Sequence, residues 1–279
     1  MATTQFELFK SSKNHNDKYT FYYNNYDREY DEQGVIDYYN SEATGIKYDR
    51  TGILTNNLSF GLGSEYRYDW GNFENNGTSY NASTKGHVDN ISFYGNLGLE
   101  IFTNTNLSGF LRNDKNKVTG SNKSYKLNLE QKINNYKFGF TRVTGLRNPT
   151  IYEMFGTDNY GYSGNQNLNP EKNNSNEMYS EIKFKNNFLL NLTLFKSNIY
   201  DHIEYSSNKY INNSNNIDLN QSGMVSELKF FNESNKISLF TSSLSSKKVD
   251  GSSQLRRPEK TYGFNISKKM KNNFFGKFN

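Results

Sequence analysis

The 279-residue chain has no cysteine and only three prolines. Without thiols it can form neither a disulfide nor a zinc–thiolate site, and it has no cysteine nucleophile. Three prolines are too few for an extended linker protein. The chain also lacks the run of about 18 apolar residues that a membrane helix needs. Residues 1–10 show no basic-then-apolar secretory signal. Only 33% of residues are hydrophobic and mean hydropathy is −0.92, a value that ordinarily signals disorder. What is present contradicts disorder. With 22 Tyr and 21 Phe, the aromatic content is 16%, whereas disordered segments are aromatic-poor. Asparagine is the commonest residue, and part of that excess reads as AT-rich coding. The net charge of +5 comes from lysines scattered singly among asparagines. No basic stripe forms, so no nucleic-acid partner is expected.

The apolar residues that exist recur with a period of two. Leu58, Phe60, Leu62, Tyr66, Tyr68 and Trp70 share one face, against Ser59, Gly61, Gly63, Glu65, Arg67 and Asp69 on the other. This is the pattern of a strand with one apolar and one polar side. Ile91, Phe93, Leu97, Leu99 and Ile101 repeat it, as do Tyr125, Leu127, Leu129 and Ile133, and then Phe188, Leu190, Leu192 and Leu194. Weaker versions occur at 19–30, 107–113, 136–143, 177–185, 224–231, 237–244 and 262–267. About fourteen strands are expected, with no helix longer than two turns.

Short links, near 104–105, 134–135, 186–187, 232–235 and 271–273, alternate with long polar ones, at 71–89, 145–175, 199–221 and 245–260. A transmembrane β-barrel has this asymmetry, because its periplasmic turns are short and its outer loops long. It also accounts for the low hydropathy: only the lipid face must be apolar, and the lumen face is free to be polar. The reading is all-β, an antiparallel transmembrane β-barrel, incomplete, with about fourteen strands of a larger barrel. The alternatives are a soluble or surface β-rich adhesin and a general outer-membrane porin. Strands of ten or more residues are long for a sandwich, where about five or six is usual.

The longest link, 144–177, contains two of the three prolines. Its residues Arg147, Pro149, Tyr152, Glu153, Phe155 and Gly156, followed by Gly164, Asn165, Leu168, Pro170, Glu171 and Glu177, resemble the two consecutive motifs of the TonB-dependent outer-membrane receptor family. Looser similarity extends the resemblance over roughly residues 89–270. Pro149 has no N–H for a ladder and pushes Asn148 away from helix, so a strand ends there. The segment 150–156 is expected to make one short turn closed by Gly156, and the chain to resume at Pro170.

The resemblance implies a barrel in the outer membrane of a Gram-negative bacterium. Its partners would be outer-membrane lipid, a small-molecule ligand, and the TonB complex, reached through an N-terminal part. Family members begin with a TonB box and a plug domain, and neither is found here. Residues 1–279 are therefore read as part of a receptor barrel, without plug or last strands. The resemblance carries transport and binding, not catalysis, and no cofactor or resident metal is expected. His202 follows Asp201 and lies near Ser206, but neighbours on a strand face opposite ways, which argues against an enzyme. The acidic run Asp27, Glu29, Asp31 and Glu32 reads as solvated. Haem receptors of the family tend to carry a His between the prolines, and none is present. The form around Asn165–Glu171 is similar to the cobalamin branch, so cobalamin or another metal chelate is the expected ligand. Candidate ligand contacts in the outer loops are Asn159, Tyr160, Tyr162, Asn165, Asn167, Tyr205 and Tyr210, whose rings and amides suit stacking and hydrogen bonding.

Overall fold

The computed structural model describes residues 2–32, 35–77, 80–185, 187–212, 218–254, 257–269 and 275–278. Its strands in chain order are β1 (Ala2–Ser11), β2 (His15–Glu32), β3 (Val35–Thr55), β4 (Leu58–Asn76), β5 (Asn81–Phe102), β6 (Thr105–Asn116), β7 (Gly120–Ile133) and β8 (Tyr136–Arg147). A single-turn helix α1 (Ile151–Phe155) and a short β9 (Gly156–Asp158) follow. Then come β10 (Glu171–Phe184), β11 (Phe188–Tyr200), the small pair β12 (Ile203–Ser206) and β13 (Lys209–Asn212), β14 (Leu219–Phe231), β15 (Asn235–Lys248), β16 (Lys260–Lys269) and β17 (Phe275–Phe278). The large strands pair antiparallel, each with the next along the chain, in one meandering sheet from β1 to β17. Strand β9 pairs with β5 off this path, and β12–β13 form a separate hairpin. Among the described residues β1 and β17 do not pair with each other, so the sheet is an open barrel wall.

Registry settles the two faces. Leu62, Phe93, Leu97, Leu127, Leu129 and Leu194 lie on one side and are all exposed, which in a bilayer is contact with lipid. The other residues expected to face lipid follow the same parity; Leu58, Phe60, Leu190 and Leu192 are half-buried, and Ile91 and Leu99 are exposed. The opposite face carries a polar lattice. The Arg112 Nη2 donates to Glu65 Oε2 at 3.2 Å, and its Nε donates to Asp114 Oδ1 at 2.9 Å. Tyr94 donates its hydroxyl proton to Asp49 at 2.6 Å and Tyr179 to Glu130 at 2.8 Å. Carboxylates on this face are thus held by tyrosine hydroxyls as well as by ion pairs.

The turns opposite the long loops are tight. Asn104 (φ 63°) and Asn134 (φ 51°), each in a two-residue turn, adopt the left-handed conformation, which asparagine tolerates, and Lys185 (φ 42°) does so in the three-residue turn after β10. On the outer side, the sequence reading needs correction at 71–89. No long link exists there: β4 runs on to Asn76 and β5 starts at Asn81. Polar residues in that stretch belong to strand that continues above the lipid belt, where the outward face no longer has to be apolar. The same reason hid β3. Its outward face there carries Tyr38, Asn40, Glu42 and Thr44, and alternation fades. Strand β1 was also not expected.

Candidate functional site

The outer mouth is built around the 148–170 segment. Thr150 caps α1: its Oγ1 accepts from the Glu153 N–H at 3.1 Å, and Glu153 Oε2 accepts from the Thr150 N–H at 2.7 Å. This reciprocal capping box satisfies two backbone donors of a five-residue helix. Gly156 closes it, with its N–H bonded to the Tyr152 carbonyl, as the sequence reading expected. The helix lies on the lumen face of the wall. Ile151 packs on Gly71 and Phe155 covers Gly86 so closely that no side chain fits at that position. From there β9 pairs with residues 82–84 of β5. Pairing of β5 with β6 begins only at Asn90, so β9 covers part of the edge that β5 leaves bare above β6.

The family motif residues meet in one knot. Arg147 Nε donates to Glu171 Oε2 at 2.6 Å, and its Nη1 donates to Glu153 Oε2 at 3.1 Å. Glu171 Oε1 also accepts from the Ile203 N–H at 2.9 Å and lies 2.7 Å from His202 Nδ1. The end of β8, the helix, the start of β10 and the β12–β13 hairpin are therefore fastened at one point. Glu171 stands at the outer rim, beside the outward pair Lys172–Asp201 at 3.2 Å. Burial would raise its pKa, but hydrogen bonds from His202, Arg147 and the Ile203 N–H outweigh this and hold it near 2. Arg147 is in turn held charged, first by its bond to Glu171.

The middle of the segment is packed. Tyr162 is 3% exposed, stacks on Tyr152 with ring centres 5.0 Å apart and gives its hydroxyl proton to the Tyr152 carbonyl at 2.7 Å. Tyr205 and Tyr210 stand around it at 5.9 Å each. Burial among these rings pushes the Tyr152 hydroxyl up to about 12. Gly164 lies against the Met154 carbonyl, where a Cβ would come within 2.5 Å of backbone atoms. Leu168 and Pro170 are buried as well, and Pro149 is buried at the strand end. Asn165 is used internally: its Nδ2 donates to the Tyr210 carbonyl at 3.0 Å. Of the seven candidate contacts, Asn159, Tyr160, Asn167 and Tyr205 are exposed, Asn165 and Tyr210 are half-buried, and Tyr162 is buried. Tyr162 is thus a correction in placement: its ring holds the loop together and is not presented outward. Met154, Tyr162, Leu168, Ile203 and Leu219, with Ala82 and Val88 of the wall, are buried apolar side chains besides the two prolines.

Two lumen-side cavities adjoin α1. The outer one, of about 680 Å³, lies between the helix and the tops of β2–β5, and is bounded by Tyr26, Asp37, Tyr39, Phe73, Tyr80, Ile151 and Tyr152 among others. The deeper one, of about 660 Å³, is charged and includes Arg67, Asp69, Arg112 and Asp114 below Pro149. The reading of the sequence missed the outer pocket's wall residues. Their signal was Tyr26, Tyr39 and Phe73 on the polar-face parity, where an aromatic has no lipid to meet. Among the described residues no three His, Asp or Glu side chains converge as a metal site.

A family model described as TonB dependent receptor-like, beta-barrel, matches residues 2–272. No curated protein matches the chain by sequence. Among solved structures, the siderophore receptor PirA from Acinetobacter baumannii superposes with a TM-score of 0.73 at 14% identity, over 97% of this chain and 48% of that one. The ferric-catecholate import receptor Fiu from E. coli K12 gives 0.73 at 12% identity, over 97% and 51%. The copper transporter OprC gives 0.74 at 12%, over 95% and 49%. The chain thus spans about half the length of these relatives. With the meander, the inverted faces and the motif knot, the match over 2–272 establishes that the chain belongs to the TonB-dependent receptor β-barrel family, whose members lie in the outer membrane of Gram-negative bacteria.

Proposed function

We propose that the chain is most of the barrel wall of an outer-membrane receptor that takes up a scarce metal as a small chelate. The observation that carries this is the mouth: a folded 148–170 segment, tied to the rim by Arg147 and Glu171, stands over a lumen-side pocket of about 680 Å³. A porin needs no such cover. A pocket of this size suits a small ligand, since ligand sites typically run about 300–1,000 Å³. The relatives include siderophore receptors and a copper transporter, which favours a metal chelate over cobalamin. The lumen lattice of Glu65, Arg112, Asp114 and Glu130 would meet a plug supplied by the longer receptor, and the TonB complex would act through that plug. Asn159, Tyr160, Asn167 and Tyr205 remain the loop contacts a ligand would reach first. The test is growth on chelated metal as sole source, in a Gram-negative host without competing receptors that expresses the full-length receptor. TonB-dependent growth supports the reading. Growth that persists without TonB makes the protein a porin.

A further inference from the structure

The outer pocket differs from the cavity beneath it in kind. Its walls carry several aromatic rings among uncharged polar residues. Tyr39 and Phe73 lie 4.5 Å apart, centre to centre, on adjacent strands, with Tyr26, Tyr152 and Ile151 completing the enclosure. Asp37 is the only charged side chain among the described residues that line it, and it accepts a hydrogen bond from Asn75. The Asp158 carboxylate stands outside this lining and accepts from the Tyr160 and Tyr162 N–H groups. Arg28 is not part of the lining, and its guanidinium lies over the Tyr30 and Tyr39 rings at 5.6 and 5.8 Å. Ring faces attract cations and tolerate neutral flat surfaces. A multiply anionic ligand would meet those faces and the Asp37 carboxylate, with no cationic side chain among the described lining residues.

We propose that this pocket binds a metal chelate that carries no net negative charge, held by its apolar surface against Tyr39, Phe73 and Tyr152, with Asp37 favouring a cationic form. The inference rests on the uptake reading above and adds the charge class of the cargo.

The experiment titrates the purified full-length receptor with three ferric chelates: monocationic ferrioxamine B, uncharged ferrichrome and trianionic ferric enterobactin. The first two are expected to bind at least about tenfold tighter than the third. Tyr39→Ala should weaken both of them by about tenfold. Asp37→Asn, a near-isosteric change, should weaken only the cationic chelate, by about three- to tenfold, and leave the uncharged one within about twofold. Heat-modifiable migration on gels checks that each variant is an assembled barrel. Tightest binding of the trianionic chelate overturns the proposal. So does an Asp37→Asn variant whose cationic-to-uncharged ratio is unchanged. Failure of all three to bind in a receptor that still supports TonB-dependent growth overturns the charge class while the uptake reading stands. Failure of TonB-dependent growth itself removes that reading.

Discussion

The wall and the mouth are made by the same chain under opposite rules. In the wall, apolar side chains point away from the protein: Phe93 is 61% exposed and Leu97 56%. Polar groups fill the interior. In the mouth, the order is that of a small water-soluble domain. Met154, Tyr162 and Leu168 are 2–3% exposed beneath a polar surface, and backbone ends are capped. The difference follows from solvent. Lipid replaces the core as the place to put apolar surface in the wall, and the ladder must satisfy every backbone group. Above the belt water returns, and the segment 148–170 must make a core of its own.

This contrast can be broken from either side. The largest effect is expected from Leu97→Arg, which puts a charge near the middle of the lipid belt and should cost about 2–4 kcal/mol of barrel stability. Tyr38→Arg, outward-facing on β3 but above the belt, should cost under about 0.5 kcal/mol. Urea unfolding in lipid vesicles measures both, and equal effects would remove the distinction between belt and extension.

Acid should open the mouth before the wall. The Glu171 carboxylate titrates near 2 when folded, against an ordinary 4.5. Its stabilisation is therefore complete above about pH 4.5 and is lost as pH falls toward 2, a change on the order of 3 kcal/mol. Hydrogen exchange of residues 150–168 at pH 2.5 and pH 6 reads this directly, with the amides of β7 and β8 as the unmoved reference. Arg147→Ala should produce much of the same opening at neutral pH. It strands Glu153 and Glu171, but Arg147 is 42% exposed, so water screens the loss and about 2 kcal/mol is expected. Limited proteolysis should then cut within 157–167 while the barrel still migrates as folded on unheated gels. The mildest change within the mouth, Tyr162→Phe, removes one buried hydroxyl bond to the Tyr152 carbonyl. About 1 kcal/mol of local stability should go, visible as faster exchange at Gly156 and Gly164 only.

The wall was legible because lipid enforces a strict alternation, as in Leu127, Leu129 and Ile133. Where that pressure stops, the pattern dissolved: 35–50 gave no strand signal and 71–89 passed for a loop. In the mouth, Pro149, Pro170 and the Gly156 stop were readable because proline and glycine act locally. The partners of Arg147 were not, since Glu153, Glu171 and His202 converge only when three separate connections fold together. Tyr162 was misplaced for a related reason: a tyrosine in a polar, Gly-rich stretch carries the same local signature whether its ring faces a ligand or a neighbouring tyrosine.

The pairing of β9 with β5 bears on the order in which the molecule forms. Ser83 and Thr157 touch across 74 positions of chain, and between them lie three complete hairpin connections, β5–β6, β6–β7 and β7–β8. Closing so long a loop gains nothing until those hairpins have shortened the effective separation. Until then the top of β5 presents an unpaired rim to any other extended chain, including a second nascent copy. The three residues of β9 therefore serve as a late seal on assembly, and a chain delayed before that step is the one most exposed to mispairing.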